Sequence, residues 1–167
     1  WALNRPNDEV AMNNLDWYSV NREGQNSYDF RPYVDYYQWL SPFSPGAREH
    51  IKKNIKEFSK LDGLASVHLD YVRYCDVILP IALQPKYYLV QKDEMPQYDF
   101  GYHKEARREY KKIYNVDPIK IEDPQRDSNW FKFRLDALTS LVNQLVKIAH
   151  QNGTKLSAAV FPFPEMS

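Results

Sequence analysis

The stretch Leu64–Tyr74, LASVHLDYVRY, decides how the rest of the chain is read. Leu64, Ala65, Val67 and Leu69 are apolar and closely spaced, which predicts a short buried strand. The second half changes character, with His68, Asp70 and Arg73 set among Tyr71 and Tyr74. Side chains alternate along a strand. His68, Asp70 and Val72 are therefore expected on one face, and Leu69, Tyr71 and Arg73 on the other. An acid and an imidazole should then look into one space at the C-terminal end of a strand.

Upstream of this stretch a helix is predicted to start at Pro45, with Ser44 as its N-cap. Ala47, Ile51, Ile55 and Phe58 recur at spacings of three and four and form its inner stripe. Asp62-Gly63 ends it and leads into the strand. Before the helix, Arg5 to Ser44 shows little periodicity. It is rich in Asn, Asp, Pro and aromatic residues, among them Trp17, Tyr18, Tyr28, Phe30, Tyr33, Tyr36, Tyr37 and Trp39. A long loop of this kind either packs down on its own aromatics or faces a ligand, and both readings stand. Trp1–Asn4 reads as the tail of an earlier strand.

Downstream, residues 76–97 form a second long excursion punctuated by Pro80, Pro85 and Pro96. A charged helix is expected between Gly101 and Asn115, with Ala106, Tyr110 and Ile113 inward, broken by Val116-Asp117-Pro118. A long helix follows from about Ser128 to Gln151, capped by Asp127 or Ser128. Phe131, Leu135, Leu138, Val142, Leu145 and Ala149 form its stripe, widened by Leu141 and Ile148. Asn152-Gly153 closes it. Lys155–Phe161, KLSAAVF, is expected to be another buried strand.

The order is strand, helix, strand, helices, strand, which is the grammar of a parallel sheet within one domain spanning residues 1–167. About three parallel strands are expected. They belong either to an open α/β sheet or to a segment of a (β/α)8 TIM barrel with long βα loops.

Bulk chemistry narrows the function classes. With 22 basic and 22 acidic residues the chain has no basic surplus for a nucleic-acid backbone. Mean hydropathy is −0.68, and no apolar run approaches the roughly 18–20 residues that span a bilayer. Cys75 is the only cysteine, so no internal disulfide forms and the redox compartment stays open. Aromatic residues make up 15%, including thirteen tyrosines and four tryptophans, a composition that suits cores and also sugar-stacking surfaces. Nucleotide-binding glycine motifs, a nucleophile elbow and paired cysteines are all missing, which argues against nucleotide enzymes and serine hydrolases.

The strings VHLDYVRY, CDVILP, LQPKY, YDFGYHKEARREY, W-x-x-FR and SAAVFPFPEM occur in that order. With the earlier WYSVNREGQNS and RPYVDYYQWLSP, they resemble the glycosyl hydrolase-like 10 family of bacteria that degrade polysaccharides. The resemblance covers nearly the whole chain. It implies a (β/α)8 barrel of which this chain is an incomplete part, starting near the end of a third strand and ending after a fifth. It also implies glycoside hydrolysis, a carbohydrate substrate and a secreted, periplasmic or cell-surface location.

Glycoside hydrolysis usually needs two carboxyl groups flanking the scissile bond. Asp70, at the end of a strand, is the first candidate, as nucleophile or base. Its competing reading is a structural carboxylate paired with Arg73 or backbone amides. Glu165, just beyond the next strand, is the candidate general acid, since neighbouring strands lie about 4.8 Å apart. Its competing reading is an ordinary loop glutamate. His68 either orients Asp70 and meets a sugar hydroxyl, or is a satisfied core group. Arg73 either holds a carboxylate or supports the fold, and Tyr74 either lines the site or packs. Trp1 and Asn4 are further candidates for the sugar face. Asp76 is a third carboxylate near the strand. Glu94, Asp99, Glu122 and Asp123 are read as solvated loop residues, and Trp130 with Arg134 as a helix contact. No cofactor and no metal is called for. The rival function, from a different class, is a non-catalytic carbohydrate-binding barrel.

Overall fold

The computed structural model describes residues 9, 13–33 and 38–160. The expected strand tail at Trp1–Asn4 and the segment after Val160 lie outside the described residues. Helix α1 spans Pro45–Phe58, and Ser44 Oγ accepts the Ala47 N–H at 3.4 Å to cap it. Strand β1 is Ser66–Leu69. Helix α2 is Lys104–Tyr114, closed by Asn115 in the left-handed region at φ 58°. Helix α3 is Ser128–Gln151, with Asp127 Oδ1 accepting the Trp130 N–H at 2.7 Å. Strand β2 is Lys155–Ala158.

The two strands pair in parallel, Ser66 opposite Lys155 and Leu69 opposite Ala158. Their entries are tied together as well. Thr154 Oγ1 donates to the Ser59 carbonyl at 3.0 Å, and Lys155 N–H donates to the Ala65 carbonyl at 3.1 Å. Helix α3 packs against β2, and α1 packs against α3. Ile55 from α1, Leu141, Leu145 and Ala149 from α3, Leu69 from β1 and Trp39 from the long loop form one buried cluster, with Val67 and Leu156 against it. A second cluster gathers Phe43, Tyr102, Ala106, Tyr110 and Trp130 where α2 meets the start of α3. Helices therefore cover one face of the sheet. On the other, Ser66, His68 and Ser157 are exposed.

The long loop before α1 packs down on its own aromatics where it is described. Tyr18 and Trp39 are buried, and an isolated antiparallel bridge joins Tyr18 to Leu40. Ser27 Oγ donates to the Trp39 carbonyl at 2.8 Å and accepts the Trp39 N–H at 2.9 Å. Tyr36 and Tyr37 lie outside the described residues.

Two expectations are corrected. A barrel segment with about three central strands is not found: the described residues hold three helices and one two-stranded parallel sheet, a mixed α/β arrangement with too few strands. Isolated bridges, side-chain hydrogen bonds and aromatic clusters organise the long connecting stretches, where strands were not needed to satisfy the backbone. The strands are also shorter and less buried than their apolar composition suggests. Ser157 lies on the face that the helices leave open, while Ala65, Ala158 and Val160, the last 72% exposed, lie at or beyond the strand ends and are exposed there. Among the described residues no helix is long and apolar enough to cross a membrane.

Candidate functional site

Strand β1 places Val67 and Leu69 toward the helices and leaves His68 on the open face. There His68 Nδ1 lies 2.9 Å from Ser157 Oγ, a polar pair bridging the two strands. Asp70 follows directly and is exposed. Its Oδ1 accepts the N–H of Tyr71 at 2.8 Å, the one hydrogen bond it makes among the described residues. His68 and Asp70 thus both reach solvent at the C-terminal end of the parallel pair.

The alternation stops there. Tyr71 turns the chain at φ 52°, a left-handed conformation that a bulky side chain rarely takes, and Arg73 N–H closes back on the Tyr71 carbonyl at 2.9 Å. Arg73 is carried away from Asp70. It pairs with Asp76 at 2.8 Å, and its guanidinium lies 5.5 Å from the Trp39 ring centre and 5.7 Å from that of Tyr71. Those contacts give Arg73 and Asp76 a bracing role under the turn. Tyr74 is also engaged inward: its hydroxyl donates to the Arg134 carbonyl at 3.1 Å, and burial pushes its phenol well above the usual range. Cys75 is buried, and burial likewise raises its thiol. Trp1, Asn4 and Glu165 lie outside the described residues.

A second polar constellation lies in the loops between β1 and α3. Asp99 is 1% exposed and Arg134 6%, and they pair at 3.1 Å. Asp99 Oδ2 also accepts from the Tyr102 hydroxyl at 2.6 Å, while Arg134 donates to the Phe100 carbonyl at 3.3 Å. Gly101, at φ +130°, lets the arginine lie close: a Cβ there would stand 3.0 Å from Arg134 Cδ. Burial pushes the Asp99 carboxyl up, against the pull of Arg134 and the Tyr102 hydrogen bond.

Asp99 also lines a solvent-open cleft of about 440 Å³ between the 92–96 and 122–126 loops. At its lip, loss of water and then the charges of Asp99 and Asp123 push the Glu94 carboxyl up to about 7, while Arg134 and Arg126 pull it down. Of the loop acids that read as solvated in the sequence, Glu94, Glu122 and Asp123 are exposed, whereas Asp99 is buried. The available signal was the run Tyr98-Asp-Phe-Gly-Tyr102, in which Asp99 sits among aromatics that pack inward. Among the described residues, no three His, Cys, Asp or Glu side chains gather to hold a metal ion. In comparisons with known proteins, the chain matches no family model, no curated protein and no solved structure.

Proposed function

We propose that this chain contributes the reactive carboxylate of a glycoside hydrolase. Asp70 acts as nucleophile or base, and Glu165 is assigned as the general acid. The supporting observation is Asp70 itself: an exposed carboxylate just past the C-terminal end of a parallel strand, next to an exposed His68–Ser157 pair. In open α/β sheets, ligands bind outside the carboxyl ends of the strands. One oxygen of Asp70 is oriented by the Tyr71 amide, which leaves the other free to approach an anomeric carbon or a water molecule. The His68–Ser157 pair offers a donor and an acceptor for sugar hydroxyls. Two carboxyl groups suffice for this chemistry, so the scheme requires no metal. The substrate is read as a polysaccharide or oligosaccharide, and a secreted, periplasmic or cell-surface location is part of this proposal through the family resemblance alone.

Asp70→Asn tests this in the full protein, using aryl glycosides and a polysaccharide panel for turnover and glycan affinity electrophoresis for binding. Turnover should drop about 10²–10⁴-fold while glycan binding persists. Unchanged turnover removes Asp70 from the mechanism. A parent protein that binds glycans without turning any over makes the chain a carbohydrate-binding module instead.

A further inference from the structure

His103 is 3% exposed and stands immediately before α2. Both of its ring nitrogens are engaged. Nδ1 accepts the Glu105 N–H at 3.2 Å, so an imidazole caps the helix where a hydroxyl or carboxylate is usual. Nε2 lies 2.7 Å from the Asp16 carbonyl oxygen, in the single turn Leu15–Trp17. These partners fix the proton. A carbonyl oxygen can only accept, so Nε2 carries the hydrogen; a backbone N–H can only donate, so Nδ1 is bare. One uncharged ring in one tautomer thus joins two segments 87 residues apart.

Charging that ring undoes the arrangement. An Nδ1–H would point at the Glu105 N–H, with the positive end of the helix behind it. The surroundings do not compensate. Burial disfavours the imidazolium first, and Lys104 adds to this. The Asp16 carbonyl and the carboxylates of Glu105 and Asp16 act the other way, and the ring is still held below its ordinary range. Glu105 is already paired with Arg108, and Asp16 with Lys104 at 3.9 Å, the latter two side chains largely exposed. Exposed ion pairs contribute little, so the turn's hold on α2 rests on His103. Trp17 is fastened separately, its carbonyl accepting the Ser41 N–H at 2.7 Å.

We propose that His103 is an acid-released latch: when its ring takes up a proton it leaves its buried seat, uncapping α2 and letting go of Asp16. The turn then loosens without detaching, because Trp17 keeps its bond to Ser41. The closed form binds this proton less readily than the open one. The latch is therefore closed above about pH 6.5, where a free histidine is neutral, and loosens progressively as pH falls below it. The inference uses none of the residues assigned to glycoside hydrolysis.

The test is NMR of the 167-residue protein between pH 8 and pH 5. At pH 8 the ring nitrogen shifts of His103 should show hydrogen on Nε2 alone. On acidification the ring should titrate below the ordinary histidine range. Amide protection, corrected for the intrinsic slowing of exchange in acid, should be lost at Glu105 and at Trp17 and Tyr18, whose N–H groups close the turn. Leu141 and Leu145 in α3 should stay protected. His103→Asn keeps an acceptor for the Glu105 N–H that does not titrate, so Glu105 should remain protected throughout. Hydrogen on Nδ1 at pH 8, titration at or above the ordinary range, loss of protection spread equally over α3, or the same acid loss at Glu105 in H103N each overturns the proposal. The first three readings use the unaltered protein, so they decide the matter even if H103N does not fold.

Discussion

Asp99 and Arg134 carry the most consequential polar contact among the described side chains, because both are nearly cut off from water. Removing one partner leaves a buried charge unpaired, at a cost of about 3–5 kcal/mol. Arg134→Met and Asp99→Asn should each lower unfolding stability by that order in urea titrations. The double variant should recover a large part of it, since no lone charge remains. Strictly additive losses would show that the pair is not coupled. Neither residue announced its role: Asp99 reads as a loop acid and Arg134 as a helix contact. Their pairing joins positions 35 apart in sequence, through a glycine whose backbone no local pattern predicts. Asp70 was legible as an exposed acid at a strand end. The fate of Arg73 was not, because it hangs on the left-handed turn at Tyr71.

At the level of elements, the helices were the most readable part, because capping and the 3.6-residue period are local. Ser44 and Asp127 cap as their side chains suggest. Their inner faces were less readable. In α3 the buried stripe starts from Trp130 and Arg134, one residue away from the expected Phe131 and Leu135, and Phe131 is 36% exposed. The second aromatic cluster captures Trp130, which stacks on Phe133 with ring centres 5.8 Å apart, and this rotates the contact face. Phe58 and Ile113 stay exposed at helix ends, where no neighbour among the described residues covers the last turn. The start of α1 carries a sharper dependence. The indole of Trp17 lies directly on Gly46, in the space a Cβ would take. Gly46→Ala should therefore destabilise the protein by about 1–3 kcal/mol, despite alanine's better helix propensity. Adding Trp17→Ala should make the alanine at 46 harmless or favourable, which thermal unfolding of the single and double variants reads directly. A stabilised G46A single variant would mean that Trp17 moves aside freely.

For the molecule as a whole, the parallel pairing of the two strands followed from the alternation of helices and strands, but the extent of the sheet did not. Strand number depends on long-range partners, and apolar runs such as 64–69 and 155–160 look alike in a wide sheet and in a ribbon of two. The consequence is an unusual exposure. Parallel sheets normally have both faces covered. Here the face bearing Ser66, His68 and Ser157 is open, and among the described residues neither strand has a partner on its outer edge. Unpaired edges of this kind template further pairing. The 167-residue polypeptide should therefore self-associate with rising concentration in sedimentation velocity, and Ser66→Lys on the open face should weaken the association. Exposed Ile81 and Val90, 83% and 81% accessible in the loop after β1, offer a competing sticky surface. Ile81→Ser with Val90→Ser serves as the control. If that pair suppresses association and S66K does not, the loop is the contact and the sheet is self-sufficient. A monomer at every concentration, unfolding in one cooperative step, would show that the two strands need no further cover.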